Sequence, residues 1–442
     1  MAKRWRIAEF DQSQAAHLER AAGIPAVVAQ LLVARGIDNP DDAKQFLAPK
    51  LSGLRDPSAL PGLNSAADVL FSALQAKRKI TIYGDYDADG MAATSILLLC
   101  FRLLGADVDF YIPHRIDEGY GLNADALLRL SQRGADVVVT VDCGVASIEE
   151  AELARDLGLT LVVTDHHQLA DRLPCAAAVV HPDLPGGDYP FPGLCGAAVA
   201  FKLAWALCQR ASGQQRVTER MRRYLLQAVG LAALGTVADV VPLVDENRIL
   251  VRHGLDSLQQ SPTPGIAALM RLTGLTDKPR LEGEDLAFTI GPRLNAAGRL
   301  AQADIGVELL TTSSATRAEQ LAQYVEELNQ QRQSLERSMS RSAEKQLRDH
   351  FDPLVDPAIV LADEDWHPGV IGIVAGRLAD KHHLPTIVIA CDALRVKPGV
   401  GSARSIPGVD LHDALQRCRD LLEGCGGHAA AAGLRVRPEN IP

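Results

Sequence analysis

Between Lys79 and Thr164 short apolar runs alternate with helix-length segments, and few folds accommodate that pattern. The runs at residues 80–83, 107–112, 136–141 and 160–164 are rich in Val, Ile, Thr and aromatic residues, and the spacing between them predicts helices over 91–104, 123–133 and 148–157. Strands joined by crossovers of this length lie parallel, and a parallel sheet is covered on both faces. Such open sheets hold ligands beyond the carboxyl ends of their strands, so the residues that follow each strand are the candidates for chemistry.

The first strand runs into Gly84-Asp85-Tyr86-Asp87-Ala88-Asp89-Gly90. Alternate side chains of an extended segment share one face, which predicts that Asp85, Asp87 and Asp89 converge at the strand end. Three carboxylates in one place repel one another unless a cation lies among them. Asp142 follows the strand at 136–141, and Asp165-His166-His167 follows 160–164, at the same rim. Asp239 sits among small and apolar residues of 233–242 and is expected to be buried, where an isolated carboxylate is costly. Taken singly, each of these acids reads as a buried or capping residue or a solvated turn; their coincidence at one sheet edge argues for metal. Carboxylates with imidazole suit Mn²⁺ or Mg²⁺, whereas eight cysteines without a Cys-x-x-Cys pair argue against structural zinc. Two such ions about 4 Å apart activate water, neutralise a phosphoryl oxygen and support a leaving group, so phosphoester hydrolysis is the natural chemistry.

At 442 residues the chain is too long for one ordinary core, and two or three domains are expected. Residues 1–75 predict an N-terminal helical cap, 76–312 the parallel-sheet domain, 313–352 a connecting long helix, 353–434 a smaller α/β domain, and 435–442 the start of a linker to a further domain. The helix prediction rests on the absence of Gly and Pro from 314–351 and on a stripe of Leu321, Val325, Leu328, Leu335, Met339 and Leu347, read as packing. A formal net charge of -10 argues against nonspecific coating of nucleic acid but leaves room for a local basic groove. The cysteines read as small core residues in a reducing compartment. With no apolar signal region after the N-terminal Met-Ala-Lys-Arg-Trp-Arg and no uninterrupted apolar run of about 18 residues, a cytoplasmic protein without a membrane partner is expected.

In this order the motifs resemble the DHH phosphoesterase superfamily, named for the Asp-His-His at 165–167, and within it the branch that digests single-stranded DNA. The first family motif corresponds to 84–90, the second to Ile112-Pro113-His114-Arg115, the third to Val141-Asp142-Cys143-Gly144, and Asp239 falls in a fourth. Segments 291–299, 366–372, 401–405 and 426–433 extend the resemblance to about residues 50–434. It implies an α/β fold: a parallel-sheet DHH domain joined by a long helix to a smaller α/β DHH-associated domain, with a metal cleft between them. It also implies a single-strand-specific 5′→3′ DNA exonuclease that releases mononucleotides by a two-metal mechanism in DNA repair and recombination. Single-stranded DNA is the implied substrate, with a single-strand-binding protein and a helicase as further partners. Asp85, Asp87, Asp89, Asp142, His166 and Asp239 carry over as ligands of two Mn²⁺ or Mg²⁺ ions. Asp142, His166 and His167 carry over as the catalytic group, His167 contacting the scissile phosphate or orienting a ligand. Where several members have His, four residues before Asp87, this chain has Tyr83, so either one ion is held less tightly or water completes its shell.

The implied phosphate contacts are Arg115, Arg293, Asn295, Arg299, Ser402, Arg404 and His428, with each Arg read as lying in a glycine-rich turn. A guanidinium grips phosphate with two hydrogen bonds, and glycine lets backbone N–H groups approach it closely. The segment 401–405 is expected to capture the 5′-terminal phosphate. Pro368-Gly369, His181-Pro182-Asp183 and Gly193-Leu194-Cys195-Gly196 read as turns and caps. The alternatives are a DHH phosphodiesterase acting on short oligonucleotides or small phosphoesters, and a non-catalytic DHH-like replication scaffold.

Overall fold

The computed structural model describes residues 9–213, 216–352, 355–394 and 396–441, so the extreme N-terminal segment and Pro442 lie outside the described residues. Five strands, β1 (Ile80–Tyr83), β2 (Val108–Tyr111), β3 (Val137–Thr140), β4 (Thr160–Thr164) and β5 (Ala178–Val180), form a sheet of order β2-β1-β3-β4-β5 in which every pairing is parallel. The three-residue edge strand β5 has no counterpart in the expected pattern. Strict alternation splits the sheet into two buried faces. Ile80, Ile82, Val137, Val139 and Val162 join the large core with Leu97, Phe101 and Leu203. Tyr83, Val138, Leu161 and Val163 pack instead against Leu127, Leu130 and Ala154. Both faces are covered by helices, the physical requirement for an all-parallel sheet.

The acidic motif is not extended throughout. β1 ends at Tyr83, and the helix Ala88–Leu104 begins three residues earlier than expected because Asp87 is its N-cap, its Oδ1 accepting from Gly90 N–H at 2.9 Å. Such a cap contributes about 1 kcal/mol. Asp89 consequently lies in the first helical turn. The three acids gather through a strand–turn–helix junction and not through pleat alternation.

The helix Ala315–His350 spans 36 residues, roughly 54 Å. Its apolar stripe divides: Leu321 and Val325 join the core of the first sheet, while Met339 and Leu347 join that of the second, with half-buried Leu335 alongside. One helix therefore ties two cores together. The second sheet, β6 (Ile359–Asp363), β7 (Thr386–Ala390), β8 (Gly399–Arg404), β9 (Leu422–His428) and β10 (Ala431–Val436), has the order β6-β7-β8-β10-β9, with only β6 and β7 parallel. Because β10 reaches Val436, Arg435 belongs to the sheet and not to a linker.

Helices Gln12–Ala22, Ala26–Val33 and Pro40–Leu47 share a small core of Leu18, Ala29, Leu32 and Ala43. The following segment is fastened to the main body by Arg55, which meets Asp245 at 2.5 and 2.9 Å, and by the buried Lys202–Glu246 pair. Cys100, Cys143, Cys195 and Cys208 are buried, but Cys175 and Cys418 are exposed, so only part of the cysteine set is core. Among the described residues no helix is long and apolar enough to cross a membrane.

Candidate metal centre and phosphate cleft

The carboxyl ends of β1, β3 and β4 deliver Asp85, Asp142 and the Asp165-His166-His167 run to one rim. Asp142 adopts φ +63, a conformation unfavourable for a residue with a Cβ, and its N–H donates to Thr164 O at 3.1 Å. That kink turns the carboxylate towards His166, whose Nε2 lies 3.0 Å from Asp142 Oδ1, 3.7 Å from Asp239 Oδ2 and 4.0 Å from Asp89 Oδ2. Asp239 caps the C-terminal end of the helix Glu219–Ala238, and its side chain keeps 25% of its exposure, so it forms the open wall of the cluster and is not fully buried as expected.

Asp89 is held from outside the acidic motif. Its carboxylate accepts Gly196 N–H at 2.7 Å and Ala197 N–H at 3.0 Å, at the N-terminus of the helix Gly196–Ser212, where free N–H groups and the helix dipole favour an anion. The Gly193–Gly196 turn, read from sequence as a cap only, thus also positions an acid. A Cβ on Gly196 would lie 2.4 Å from Asp142 Oδ1, and one on Gly235 would lie 2.0 Å from Asp89 Oδ1. Both positions require glycine because the carboxylates occupy the space.

Asp165 organises the two histidines. It accepts N–H groups of His166 (2.7 Å), His167 (3.1 Å) and Val145 (2.9 Å), and its Oδ1 lies 2.8 Å from His167 Nδ1. Burial opposes its ionisation, but the His167 hydrogen bond and charge outweigh that and lower its pKa. Burial likewise opposes the His167 charge; the bond to Asp165 and the charges of Asp165, Asp239 and Asp85 prevail and raise it to about 9. His166 goes the other way, to about 4, through burial and then the neighbouring His167. One imidazole is thereby cationic and the other a neutral donor. Tyr120, which sequence reasoning missed, hydrogen-bonds the Asp142 carbonyl at 3.1 Å and His167 Nδ1 at 2.8 Å.

Asp85 Oδ1, Asp142 Oδ1 and His166 Nε2 are buried without a hydrogen-bond partner, even though the last two are only 3.0 Å apart. Buried polar atoms are ordinarily satisfied, so donors that approach one another without bonding fit a cation between them. Among the described residues three groups bring ligand atoms within 4.8 Å of one another: Asp85, Asp87 and Asp142; Asp89, His166 and Asp239; and Asp142, His166 and His167. Asp142 occurs in two of them. Burial, and then the other acids, raise Asp85 and Asp142 well above the ordinary carboxylate value, Asp89 to about 6 and Asp239 to about 8. Oxygen donors with one neutral imidazole match a hard divalent ion. Tyr83 takes no part, because it lies on the opposite face of the sheet with its hydroxyl donating to Gly121 O at 3.1 Å.

Beside the acids, a cavity of about 400 Å³ opens between the two sheets, lined by Tyr86, Arg115, Gly369, Gly372, Ser402 and Arg435 among others. The Arg115 guanidinium stacks 4.6 Å from the Tyr86 ring. Behind the lining, Arg404 donates to Ser402 Oγ at 3.1 Å and Ala403 O at 2.8 Å, and Arg299 donates to Gly369 O at 3.2 Å. A Cβ on Gly372 would lie 2.9 Å from Ser402 Oγ and 3.0 Å from Arg404 Nη2. Burial, then Arg115, Arg332 and Arg404, push Arg299 down to about 10, the mark of a crowded cationic wall.

The remaining expected phosphate contacts lie elsewhere. Arg293 is paired with Glu326 at 2.6 Å and bonded to Thr289 O at 2.7 Å. Asn295 accepts Ala88 N–H at 2.8 Å and so fixes the acidic loop. His428 is exposed, its Nδ1 accepting Ala430 N–H at 3.2 Å, although Gly424, Cys425 and Gly426 on the same strand line the cavity. Nor do all the arginines occupy turns: Arg293 and Arg299 are on the helix Gly291–Arg299, and Arg404 ends β8. Gly291-Pro292 begins that helix.

Residues 79–236 match the DHH family, N-terminal domain, and residues 356–442 match the DHHA1 domain. Fold and site thus define a DHH-type protein with its associated domain. The single-stranded-DNA-specific exonuclease RecJ of Bacillus subtilis is 41% identical over 441 residues, covering 99% of this chain and 54% of that protein. RecJ of Dickeya dadantii is 37% identical, covering 97% and 75%. The crystal structure of RecJ from Thermus thermophilus in complex with Mn²⁺ superposes with a TM-score of 0.83 at 34% identity, covering 99% of this chain and 61% of that one; the same protein is also solved with Mg²⁺. The chain belongs to the RecJ family, and it spans about half the length of the B. subtilis relative and three quarters of the D. dadantii one.

Proposed function

We propose that this chain hydrolyses single-stranded DNA from the 5′ end, releasing mononucleotides, at a centre that holds two Mn²⁺ or Mg²⁺ ions. The observation that carries the reading is the convergence of Asp85 Oδ1, Asp142 Oδ1 and His166 Nε2, buried and unpartnered, on one space. The family's named activity and the ions in the Thermus structures support it.

In this reading Asp85, Asp87 and Asp142 would hold one ion and Asp89, His166 and Asp239 the other. Bound metal would supply an activated water and neutralise charge on the phosphoryl oxygens. His166 contributes as a neutral donor because burial keeps its proton off. His167, kept cationic by Asp165 and with 43% of its side chain exposed, is placed to meet the scissile phosphate. Arg115, Arg299, Ser402 and Arg404 receive the terminal phosphate in the adjoining cavity, which fixes the direction of digestion by recognising an end. A cation-lined cleft beside an acidic centre also resolves how a chain of net charge -10 accepts DNA, since backbone contacts dominate nucleic-acid affinity. A role in repair and recombination in the cytoplasm, with a single-strand-binding protein and a helicase as partners, follows by family likeness.

Digestion of end-labelled single-stranded and duplex DNA and of a dinucleotide, with Mn²⁺ and with chelator, tests the proposal. Metal-dependent release of mononucleotides from single strands, absent in Asp142→Ala, is the expected result. Equal digestion of the duplex, or activity confined to the dinucleotide, would overturn it.

A further inference from the structure

Two loops shape the ligand group of Asp89, His166 and Asp239, and one side chain pins both. Asp89 is held by Gly196 N–H and Ala197 N–H at the end of the 193–196 turn, and Asp239 opens the loop that runs through Val240, Val241 and Pro242. Asn247 is buried on the first turn of the helix Asp245–Gln260. Its Nδ2 donates to Gly193 O at 2.6 Å and to Pro242 O at 3.0 Å. Gly193 precedes the Asp89 donor Gly196 in the same short turn, and Pro242 closes the loop that Asp239 opens. The turn that carries Asn247 is itself fastened from two directions. Arg55 N–H donates to Glu246 Oε1 at 2.8 Å and its guanidinium meets Asp245. Lys202, on the helix whose N-terminus holds Asp89, donates to Glu246 Oε1 at 2.5 Å.

The loop after Asp239 is strained. Val240 adopts φ +61, where a β-branched residue is an outlier, and such a conformation persists only when its surroundings over-determine it. Val240 is 85% exposed, so packing of its own side chain does not hold it. Hydrogen bonds on either side do: Asp239 N–H to Gly235 O at 2.9 Å before it, and Asn247 to Pro242 O after it. We infer that Asn247 is a positioning residue of the metal centre, which fixes Asp89 and Asp239 relative to each other by bridging the loops that place them. This rests on the reading of Asp89, His166 and Asp239 as the ligands of one ion. A primary amide carries two N–H donors, enough to tie two carbonyls from different loops and to do nothing else. Its bonds go to backbone and not to the carboxylates, so losing them leaves every ligand present and costs only their arrangement, the ordinary work of groups that orient metal ligands. Asp85 and Asp142 are delivered by the ends of β1 and β3, so the clamp acts on one ligand group and not on the other.

The test is calorimetric titration of Mn²⁺ into the full chain and into Asn247→Ala, with metal-free melting temperatures and digestion of a 5′-phosphoryl single strand alongside. Leu250→Ala, a fully buried position one turn further along the same helix, serves as the control for lost stability. Asn247→Ala should weaken one of two Mn²⁺ binding steps about tenfold and leave the other within about twofold. At limiting Mn²⁺ its kcat should fall by a similar factor with KM for the strand unchanged, and saturating Mn²⁺ should restore most of the rate. Leu250→Ala should lower the melting temperature at least as much while keeping both binding steps. Because Asn tolerates positive φ, the Val240→Asn/Asn247→Ala pair should lose less affinity than Asn247→Ala alone. Should Asn247→Ala fail to fold, Asn247→Ser, which keeps a single donor, is read by the same criteria. If the unaltered chain does not bind two Mn²⁺ ions, the reading of the metal centre falls and this inference with it. If it binds two while Asn247→Ala keeps both steps, weakens both equally or is matched by Leu250→Ala, or if the Val240→Asn pair loses as much as the single variant, the inference alone is overturned.

Discussion

The acidic rim and the cationic wall across the cavity are built by opposite means. Asp85, Asp142 and His166 sit at or just beyond strand ends, where backbone geometry decides their position and short side chains leave little freedom. Arg115, Arg299 and Arg404 arise from a loop, a helix and a strand, and they come together beside one cavity only because long side chains reach there. The first arrangement tolerates almost no change of residue; the second spreads its work over several cations and should degrade by steps.

The largest break in that comparison is Asp142→Ala. It removes the carboxylate common to two of the ligand groups. Single-turnover release of labelled mononucleotide should fall roughly a thousandfold, equivalent to about 4 kcal/mol of transition-state stabilisation. Retention of a tenth of the rate would mean that the acids do not act as one cluster.

Protonation offers a second test on the acidic side alone. Asp239 is raised to about 8 by burial and the charges of Asp89 and Asp87, and metal binding must remove that proton. Mn²⁺ affinity should therefore weaken roughly a hundredfold between pH 8 and pH 6, with further loss as Asp89, raised to about 6, takes up its proton. The stability of the metal-free chain should run the other way. A carboxylate whose folded pKa is raised stabilises the fold fully below its unfolded value of 3.8, and the contribution fades as pH climbs towards about 8. The melting-temperature gain on adding Mn²⁺ should accordingly be larger at pH 8.5 than at pH 6. An equal gain at both would show that these groups do not hold the metal.

On the cationic side Arg404→Ala should cost about tenfold, concentrated on 5′-phosphorylated strands, since it removes the partner of Ser402 at the cavity wall. An unchanged ratio of rates on 5′-phosphoryl and 5′-hydroxyl strands would remove Arg404 from the end-recognising pocket.

The same contrast explains what was legible in the sequence. The parallel sheet could be read from its period and crossovers, and with it the rim that gathers Asp85, Asp142, Asp165 and His166, because strand-end position is a local property. The strand–turn–helix form of the acidic motif was obscured by treating alternation as pleat when Asp87 competes for the role of helix cap. Gly196, which donates to the Asp89 carboxylate, and Tyr120, which bonds the Asp142 carbonyl and His167, escaped because their work depends on elements far apart in the chain. Even so, glycine in an otherwise Ala- and Val-rich helix start is the kind of signal that close approach leaves. For the arginines, composition and a glycine-rich neighbourhood named candidates but could not say which would be captured by a neighbouring acid. That depends on what the long helix presents, as the capture of Arg293 by Glu326 shows.

Arg293→Gln sharpens that last distinction and should have the smallest effect. Its Nε donates to Glu326 on the long helix at 2.6 Å and its Nη1 to Thr289 O at 2.7 Å, and it does not line the cavity. The two side chains of the pair are 18% and 15% exposed, so removing the charge leaves Glu326 only partly solvated. The expected result is a modest loss of melting temperature, from an ion pair worth about 1–2 kcal/mol in such partial burial. Digestion rates on both kinds of strand should stay within about threefold of the unaltered chain, and the double change Arg293→Gln/Glu326→Gln should recover much of the lost stability by removing the stranded carboxylate. A tenfold fall in rate with an unchanged melting temperature would instead place Arg293 on the substrate path, and the cationic wall would then extend along the helix that carries Arg299.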